Sequence, residues 1–147
     1  MANYHLVILK KPYLDAILDG RKSVESRFWK TQRYAFGRVL PGDILFLKLS
    51  SWPVCAMATA AVVKNFENLT SKQISEIKQQ YNHHIQGTDE YWRSRANCKF
   101  GFLVRLKYVE AIEPVRIHKK DWRAWVVLTE KENFGLLKTE AAIKPNK

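Results

Sequence analysis

Apolar residues recur along this chain with two different periods, and together they predict a domain of short strands and a few short helices. The clearest pattern lies between Phe100 and Val109, where every second residue is apolar or aromatic, as in a strand with one buried face. Residues 54–63 are almost uniformly apolar, which favours a strand in the middle of a sheet. Four further segments have the length of strands and apolar residues to pack against a core: residues 4–9, 22–28, 43–49 and 122–128.

Helical spacing first occurs just after residue 10. Pro12 suits the first turn of a helix, because its missing N–H removes no hydrogen bond there. The apolar residues within 13–18 then fall on one stripe of a helix. Gly20 is expected to end this helix in the left-handed conformation that glycine adopts easily.

Two later segments carry signals for the start of a helix. Thr70 and Gln73 form a capping-box pattern in front of an apolar helical stripe that reaches Tyr81. Thr88 or Asp89 is positioned to cap a third, shorter helix. The sequence therefore predicts two or three short helices among about six strands.

This order of elements predicts an α+β fold. The strands are too many and too irregularly connected for repeated βαβ units, and a small, partly open, mixed β-barrel with helices at its rim fits better. We expect one domain over residues 1–128. Residues 129–147 form a polar C-terminal extension, whose end is predicted to be disordered.

Composition adds an expectation about the partner. The chain has 147 residues, of which 46% are hydrophobic and 27% charged, so it can bury a core without disulfides or a structural metal. The formal net charge is +11, and such an excess attracts polyanions strongly. Nucleic acid is the first candidate, and a membrane surface is the competing one.

Several other classes of protein do not fit the sequence. No run approaches the roughly 20 apolar residues of a membrane-spanning helix, and Lys10 and Lys11 follow the first apolar run rather than preceding it, unlike a signal peptide. No basic amphipathic helix favours membrane binding. Cys55 and Cys98 lie in largely apolar runs and are expected to be buried free thiols, which predicts a cytoplasmic protein.

Neither a metal nor a cofactor is expected. His83 and His84 are adjacent, so their side chains diverge on a regular element, and His5 and His118 stand alone as surface or partly buried histidines. Glycine-rich phosphate-binding loops of the Walker or Gly-x-Gly-x-x-Gly type are absent from the sequence.

The strand predicted over residues 22–28 carries both signs of charge. Residues two apart share a face of a strand, so Val24 and Phe28 belong on the core side with Ser26. Glu25 and Arg27 then project together from the opposite side, with Lys22 at the mouth of the preceding turn. These charges form either an exposed ion pair, which contributes about 0–1 kcal/mol, or the polar wall of a ligand cleft.

A resemblance to a known family favours the second interpretation. The chain from Lys11 to Arg27 resembles the signature of the ASCH family, a short helix followed by a Gly-x-Lys-[Thr/Ser]-x-Glu-x-Arg strand. That strand here reads Gly20-Arg21-Lys22-Ser23-Val24-Glu25-Ser26-Arg27. Weaker similarities extend the resemblance to about residue 128, over residues 37–48, 91–95 and, for a bacterial branch of the family, 121–128.

The resemblance implies a PUA-like barrel and a cleft lined by Lys22, Glu25 and Arg27. Such a cleft is proposed in the family to bind RNA or modified bases. The resemblance therefore implies that the partner of this chain is RNA, another single-stranded nucleic acid or a modified nucleoside. Some family members are described as amidohydrolases of N4-acetylcytidine that use a Lys-Thr-Glu set. Position 25 is Glu here rather than Thr, so that hydroxyl is missing.

The residues themselves are also suited to RNA. Residues 21–38 hold six cationic side chains and the single acid Glu25, with Trp29, Tyr34 and Phe36 interleaved among them. Cations bind phosphates, and aromatic rings stack on unpaired bases. The predicted nucleic-acid-binding residues are Lys22, Glu25, Arg27, Trp29, Lys30, Arg33 and Trp52. The alternative is a solvated basic loop whose aromatic residues fold back onto the barrel.

Two other functions remain open from the sequence. A hydrolase, either a ribonuclease or an N4-acetylcytidine amidohydrolase, would use Lys22, Glu25 and Arg27 as its catalytic residues, with Glu76, Asp89 or Glu90 as a further carboxylate. A protein-interaction module is the third class, because a fold does not determine a function.

Overall fold

The computed structural model describes residues 2–117 and 123–129. Within them the chain forms six strands and three helices. The strands are β1 (Tyr4–Leu9), β2 (Val24–Trp29), β3 (Ile44–Leu49), β4 (Val54–Phe66), β5 (Phe100–Val115) and β6 (Trp125–Val127). The helices are α1 (Lys11–Leu18), α2 (Ser71–Ile85) and α3 (Asp89–Arg95).

All six strands belong to one mixed sheet in the order β2-β5-β4-β3-β1-β6. β1 and β3 are parallel, and the other neighbours are antiparallel. The sheet curls into a half-barrel accompanied by three helices, so the predicted α+β, PUA-like fold is confirmed. β2 and β6 are the two outer strands of this order.

Apolar residues pack on both faces of the sheet. The inner face holds the main core, which includes Leu45, Phe102 and Val104. A second core lies between the outer face of β2 and β5 and the helices α2 and α3. For this reason the first half of β5 is buried on both faces, although its sequence alternates as a one-sided strand would.

The helix-end predictions are confirmed. Gly20 has a φ of 86° after α1, in the left-handed region. The capping box of α2 forms as predicted, because Gln73 N donates to Thr70 Oγ1 at 3.2 Å and Thr70 N donates to Gln73 Oε1 at 2.9 Å. Thr88 caps α3 by accepting from Tyr91 N at 3.0 Å.

Some element boundaries differ from the prediction. β2 begins at Val24 rather than residue 22, and β5 continues to Val115. Trp122, His118 and residues 130–147 of the C-terminal extension lie outside the described residues. Across the described ranges no helix is long and apolar enough to cross a membrane. Both cysteines are free thiols, with Cys98 buried and Cys55 partly buried.

Candidate functional site

The two faces of β2 meet different parts of the protein. Val24 and Phe28 pack into the second core beneath α2 and α3. Glu25 and Arg27 face the interior of the half-barrel, where they pair in register with Val104 and Phe102 of the main core. The predicted alternation is therefore correct, but the charged face is not a surface.

Lys22 lies inside the protein, not at the mouth of a turn as predicted. Its Nζ donates to the carbonyl oxygens of Val24 at 2.7 Å and Ile85 at 2.6 Å, and it lies 5.3 Å from the centre of the Tyr13 ring. Burial lowers the pKa of Lys22 below its usual value, and the neighbouring Glu25 offsets only part of that effect.

Glu25 is the centre of the charged cluster, defined here as Lys22, Glu25 and Arg27. Its Oε1 lies 3.6 Å from Lys22 Nζ and accepts a hydrogen bond from Ser26 N, and its Oε2 lies 3.5 Å from Arg27 Nη2. Burial alone would raise the pKa of Glu25, but the two cations and the Ser26 amide outweigh it and hold the pKa below its usual value. Glu25 is therefore an ionised carboxylate inside the half-barrel.

One oxygen of Glu25 lacks a hydrogen bond. Oε2 is buried and has no hydrogen-bond partner among the described residues. A carboxylate oxygen in this position normally accepts a hydrogen bond, since leaving a buried acceptor unpaired costs about 1–3 kcal/mol or more. The cluster thus contains one acceptor that a donor from outside the described chain would satisfy.

Arg27 closes the half-barrel. Its Nη2 donates to the Ile8 carbonyl of β1 at 3.0 Å, and its Nη1 to the Ala124 carbonyl at 3.4 Å. Its guanidinium also lies 5.3 Å from the centre of the Trp125 ring in β6. Since β2 and β6 are at opposite ends of the strand order, this single side chain joins the two ends of the sheet.

Tyr91 of α3 lies against the same stretch of β2. Its hydroxyl group is 2.7 Å from Ser26 Oγ and 3.3 Å from the Ser26 carbonyl oxygen. Burial raises the pKa of Tyr91 to about 12, so the phenol is neutral and serves as a hydrogen-bond donor. The guanidinium of Arg95 packs 4.7 Å from its ring centre.

A second polar chain runs beneath Trp125. Trp125 Nε1 donates to His5 Nδ1 at 3.1 Å, and His5 Nε2 lies 2.8 Å from Asp43 Oδ2. Because Nδ1 accepts, the proton of a neutral imidazole is on Nε2 and is donated to Asp43. His5 is fully buried, which corrects the expectation of a surface or partly buried histidine.

The sequence did not predict these Trp125–His5–Asp43 hydrogen bonds, because no local pattern identifies them. His5 is the one polar residue in an apolar strand, and Asp43 follows a Pro-Gly turn, a position where an exposed acid is ordinary. The signal that remained was the histidine itself, since a buried histidine must find a partner. Burial lowers the pKa of His5, and the Asp43 carboxylate opposes that shift only in part.

The other predicted binding residues are not part of the charged cluster. Trp29 shares its face of β2 but packs on Phe102, with ring centres 5.5 Å apart. Lys30 and Arg33 are exposed in the loop after β2, and Trp52 is 64% exposed in the turn between β3 and β4. Their role in binding nucleic acid stays a prediction.

The loop after β2 is anchored at some positions and open at others. Ala35 and Val39 are buried in the main core, and Phe36 packs edge-on against Phe100. Between these anchors is a cavity of about 420 Å³, lined by Gln32, Arg33, Tyr34, Phe36, Gly37 and Arg38. Part of the loop is therefore folded back onto the barrel, as one interpretation predicted, and the binding of RNA by its exposed residues stays a prediction.

The further carboxylates considered for a hydrolase lie at the surface. Glu76, Asp89 and Glu90 are all exposed, and Asp89 Oδ1 lies 3.6 Å from Lys78 Nζ. No group of three or more His, Cys, Asp and Glu side chains within the described ranges is arranged to hold a metal ion.

Comparison with known proteins identifies the family. The family model described as the ASCH domain matches residues 7–141. The chain belongs to the ASCH domain family. This family is generally associated with RNA binding, and the match extends through the signature strand that contains the charged cluster.

Solved ASCH structures have the same fold. The crystal structure of an ASCH protein from Zymomonas mobilis matches this chain with a TM-score of 0.70 at 13% identity, covering 98% of each chain. A Ser-to-Ala variant of that protein gives 0.69 at 14% identity over 96% of each chain. Identity this low supports a shared ASCH fold and nothing finer. No curated protein matches the sequence.

Proposed function

We propose that this ASCH protein binds RNA, and that Glu25 recognises the edge of one unpaired or modified base. The observation that carries the proposal is the buried, ionised Glu25 carboxylate whose Oε2 has no hydrogen-bond partner in the described chain. A carboxylate accepts hydrogen bonds from the exocyclic amino group of a base, most directly N4 of cytosine. Phosphates alone would not require such an acceptor.

A ligand would reach Glu25 from the side on which Arg27 lies. Arg27 is the most exposed member of the charged cluster, with 16% of its side chain accessible against 8% for Glu25 and 1% for Lys22. Its Nη2 lies 3.5 Å from Glu25 Oε2 and donates to the Ile8 carbonyl oxygen, where the two ends of the sheet meet. In the proposed complex Arg27 moves toward a phosphate or base, and the base donates to Oε2 in its place.

The exposed loop after β2 would supply affinity without sequence preference. Lys30 and Arg33 are exposed there, and Tyr34 is partly exposed beside the cavity that they border. Cations on phosphates bind any RNA, whereas base contacts discriminate between sequences. The proposal therefore assigns affinity to the loop and selectivity to Glu25.

Hydrolysis by the same residues is less well supported. Lys22 Nζ donates to two carbonyl oxygens and faces Glu25, an arrangement that uses all three protons of an ammonium group. A neutral amine would have to point its lone pair at the carboxylate. Lys22 therefore fits a structural cation better than a general base, although burial lowers its pKa.

Two ten-nucleotide RNAs of equal charge, oligo(C) and oligo(U), test the proposal. We expect the native protein to prefer oligo(C) by about tenfold, since a good base-edge contact discriminates by about 1–3 kcal/mol. Glu25→Gln should remove that preference while leaving the dependence of affinity on salt unchanged. Replacing both Lys30 and Arg33 by Ala should weaken both RNAs alike and make the log–log salt slope shallower by about 1.4, or about 0.7 for each lost phosphate contact.

The controls separate binding from folding and from general charge. Replacing Lys72 and Arg93, two exposed cations on α2 and α3, by Ala removes the same charge elsewhere and should alter the slope less. Far-UV circular dichroism and urea midpoints show whether Glu25→Gln is folded under the binding conditions, and Lys22→Met/Glu25→Gln offers a charge-balanced version. Equal binding of oligo(C) and oligo(U) by the native protein would refute the role of Glu25, and no binding at low salt would refute RNA binding itself.

A further inference from the structure

A groove lies on the outer face of the sheet, where α2 crosses β4 and β5. Its volume is about 290 Å³, and it is lined by Ser23, Val24, Val62, Lys64, Tyr81, His84, Leu103 and Arg105. It is separate from the charged cluster, because Glu25 and Arg27 face the inside of the half-barrel. The groove contains residues that the proposed RNA site does not use.

The charge of the groove is one-sided. Lys64 and Arg105 are cations, and none of the eight lining residues carries a carboxylate. His84 Nδ1 lies 3.2 Å from Ser23 Oγ, so its Nε2 is left for another partner. A groove with two cations and no acid suits an anionic group such as a phosphate.

The rest of the lining is apolar and aromatic. Val62 of β4 pairs with Arg105 of β5, and Leu103 pairs with Lys64 two residues further along the same outer face. Val62 is 54% exposed. Tyr81 of α2 lies opposite them, with its hydroxyl 3.4 Å from Lys64 Nζ. An aromatic ring across from apolar side chains suits a flat, uncharged ring system, since bases stack on tyrosine regardless of sequence.

We propose that this groove binds one nucleotide. Its phosphate lies between Lys64 and Arg105, and its base lies between Tyr81 and Val62. The volume is near the lower end of the range of about 300–1,000 Å³ for small-molecule pockets, which suits a single nucleotide rather than a dinucleotide cofactor. This inference does not depend on the function proposed for the charged cluster.

The nucleotide has two possible sources, a free nucleotide or one unit of an RNA strand. β5 continues beyond Arg105 to Lys107, which lies on the same outer face, and to the 73% exposed Tyr108, whose ring centre is 4.8 Å from Lys107 Nζ. A strand leaving the groove would meet this second cation and aromatic residue. A free nucleotide would not.

Isothermal titration with four probes tests the groove: adenosine 5′-monophosphate, adenosine, inorganic phosphate and a ten-nucleotide oligo(A). We expect the monophosphate to bind more tightly than either of its parts. Arg105→Ala should weaken this binding by about tenfold, as expected for a lost hydrogen bond to a charged group. Arg116→Ala, which removes an exposed arginine just after the end of β5, should leave it unchanged.

A second pair of variants tests the position of the ligand. Val62→Glu introduces an acid into the groove and should abolish binding, whereas Val62→Gln has the same length without the charge and should retain most of it. Because Val62 is largely exposed, both variants should fold. If oligo(A) binds much more tightly than the monophosphate, and Arg105→Ala and Lys107→Ala each weaken it, the source is a strand; otherwise it is a free nucleotide.

Two outcomes would overturn the proposal. In the first, neither the monophosphate nor oligo(A) binds. In the second, both bind, but Arg105→Ala weakens binding no more than its control Arg116→Ala does, and Val62→Glu no more than Val62→Gln does. The groove can fail this test while the charged cluster passes its own, because the two experiments share neither probes nor variants.

Discussion

Lys22 shows how a buried charge is accommodated in this fold. A lone ammonium group would be costly in the interior, but Lys22 Nζ donates to two carbonyl oxygens and faces Glu25. One of those carbonyls belongs to Ile85, the last residue of α2, where no further helical turn is available to satisfy it. Lys22 therefore also acts as a cap for α2.

Replacing Lys22 by Met is expected to destabilise the protein by about 3–5 kcal/mol, because Glu25 then stays charged in the interior with one cation fewer. Lys22→Met/Glu25→Gln should recover part of this loss, since it removes both charges. Urea unfolding of the two single variants and the double variant measures the coupling. As a control, Lys72→Met changes an exposed lysine and should cost little stability. If the stability losses of Lys22→Met and Glu25→Gln simply add in the double variant, the two charges are not directly coupled.

At the scale of elements, β2 is the strand that all parts of the site share. One face supplies Glu25 and Arg27 of the charged cluster, the other packs under α2 and α3, and its first residue, Val24, borders the outer groove. This double use requires a close approach by β5. Gly101 pairs with Phe28, and a Cβ at Gly101 would lie 2.3 Å from Phe28 Cδ1 and 2.8 Å from the Arg27 carbonyl oxygen.

Gly101→Ala should therefore destabilise the protein, although alanine is normally the better residue within a strand. We expect a loss of about 1–3 kcal/mol in the free energy of unfolding, as for other overpacked sites. Gly101→Ala/Phe28→Leu should restore only part of it, because the clash with the Arg27 carbonyl remains. A stability equal to that of the native protein would show that β2 can move away from β5 at no cost.

The sequence predicted elements where the signal is local. The alternation of β5, the capping box of Thr70 and Gln73, and the opposite faces of Val24 and Glu25 all follow from neighbouring residues. The burial of the charged cluster could not be predicted in this way. Lys22 and Arg27 donate to the backbone carbonyl oxygens of Ile85, Ile8 and Ala124, which lie far away in the sequence. Every residue has such a carbonyl, so the side chains at these positions do not reveal the contact.

At the scale of the whole molecule, Arg27 joins the two ends of the sheet, and a second set of hydrogen bonds connects the strands on one side of that junction. Arg27 spans from β2 to β1 and the start of β6, and the Trp125–His5–Asp43 chain continues beneath it. Asp43 also accepts from Asn3 N at 3.0 Å and from Leu40 N at 2.9 Å. The connection between β6, β1 and Asp43, just before β3, therefore depends on a neutral histidine whose two nitrogens have fixed roles.

Stability should fall in mild acid as a result. Burial lowers the pKa of His5 from its usual 6.5, so below about pH 6.5 the unfolded chain binds a proton that the folded protein does not, and folding becomes less favourable. From this residue the free energy of unfolding should fall by at most about 1.4 kcal/mol per pH unit, until the pH reaches the lowered pKa of His5. Glu25 adds its own loss only at more acidic pH, because its pKa lies below its usual 4.5.

Urea unfolding between pH 7.5 and 5 measures this effect. His5→Gln should flatten the pH dependence even though it lowers the stability overall, whereas His83→Gln, at an exposed position, should leave the dependence as it is. If the native protein and His5→Gln lose stability in parallel over this range, His5 is not the group that titrates.

The strand order also determines when this chain can finish folding. β1 lies between β3 and β6, and the Trp125–His5 hydrogen bond joins residues 120 positions apart. Contacts that close such long loops form slowly. During synthesis one edge of β1 stays without its partner until residues 125–127 have left the ribosome, and an open strand edge is a template for aggregation. The nascent chain is therefore prone to aggregation for nearly the whole time that the ribosome takes to synthesise the sheet.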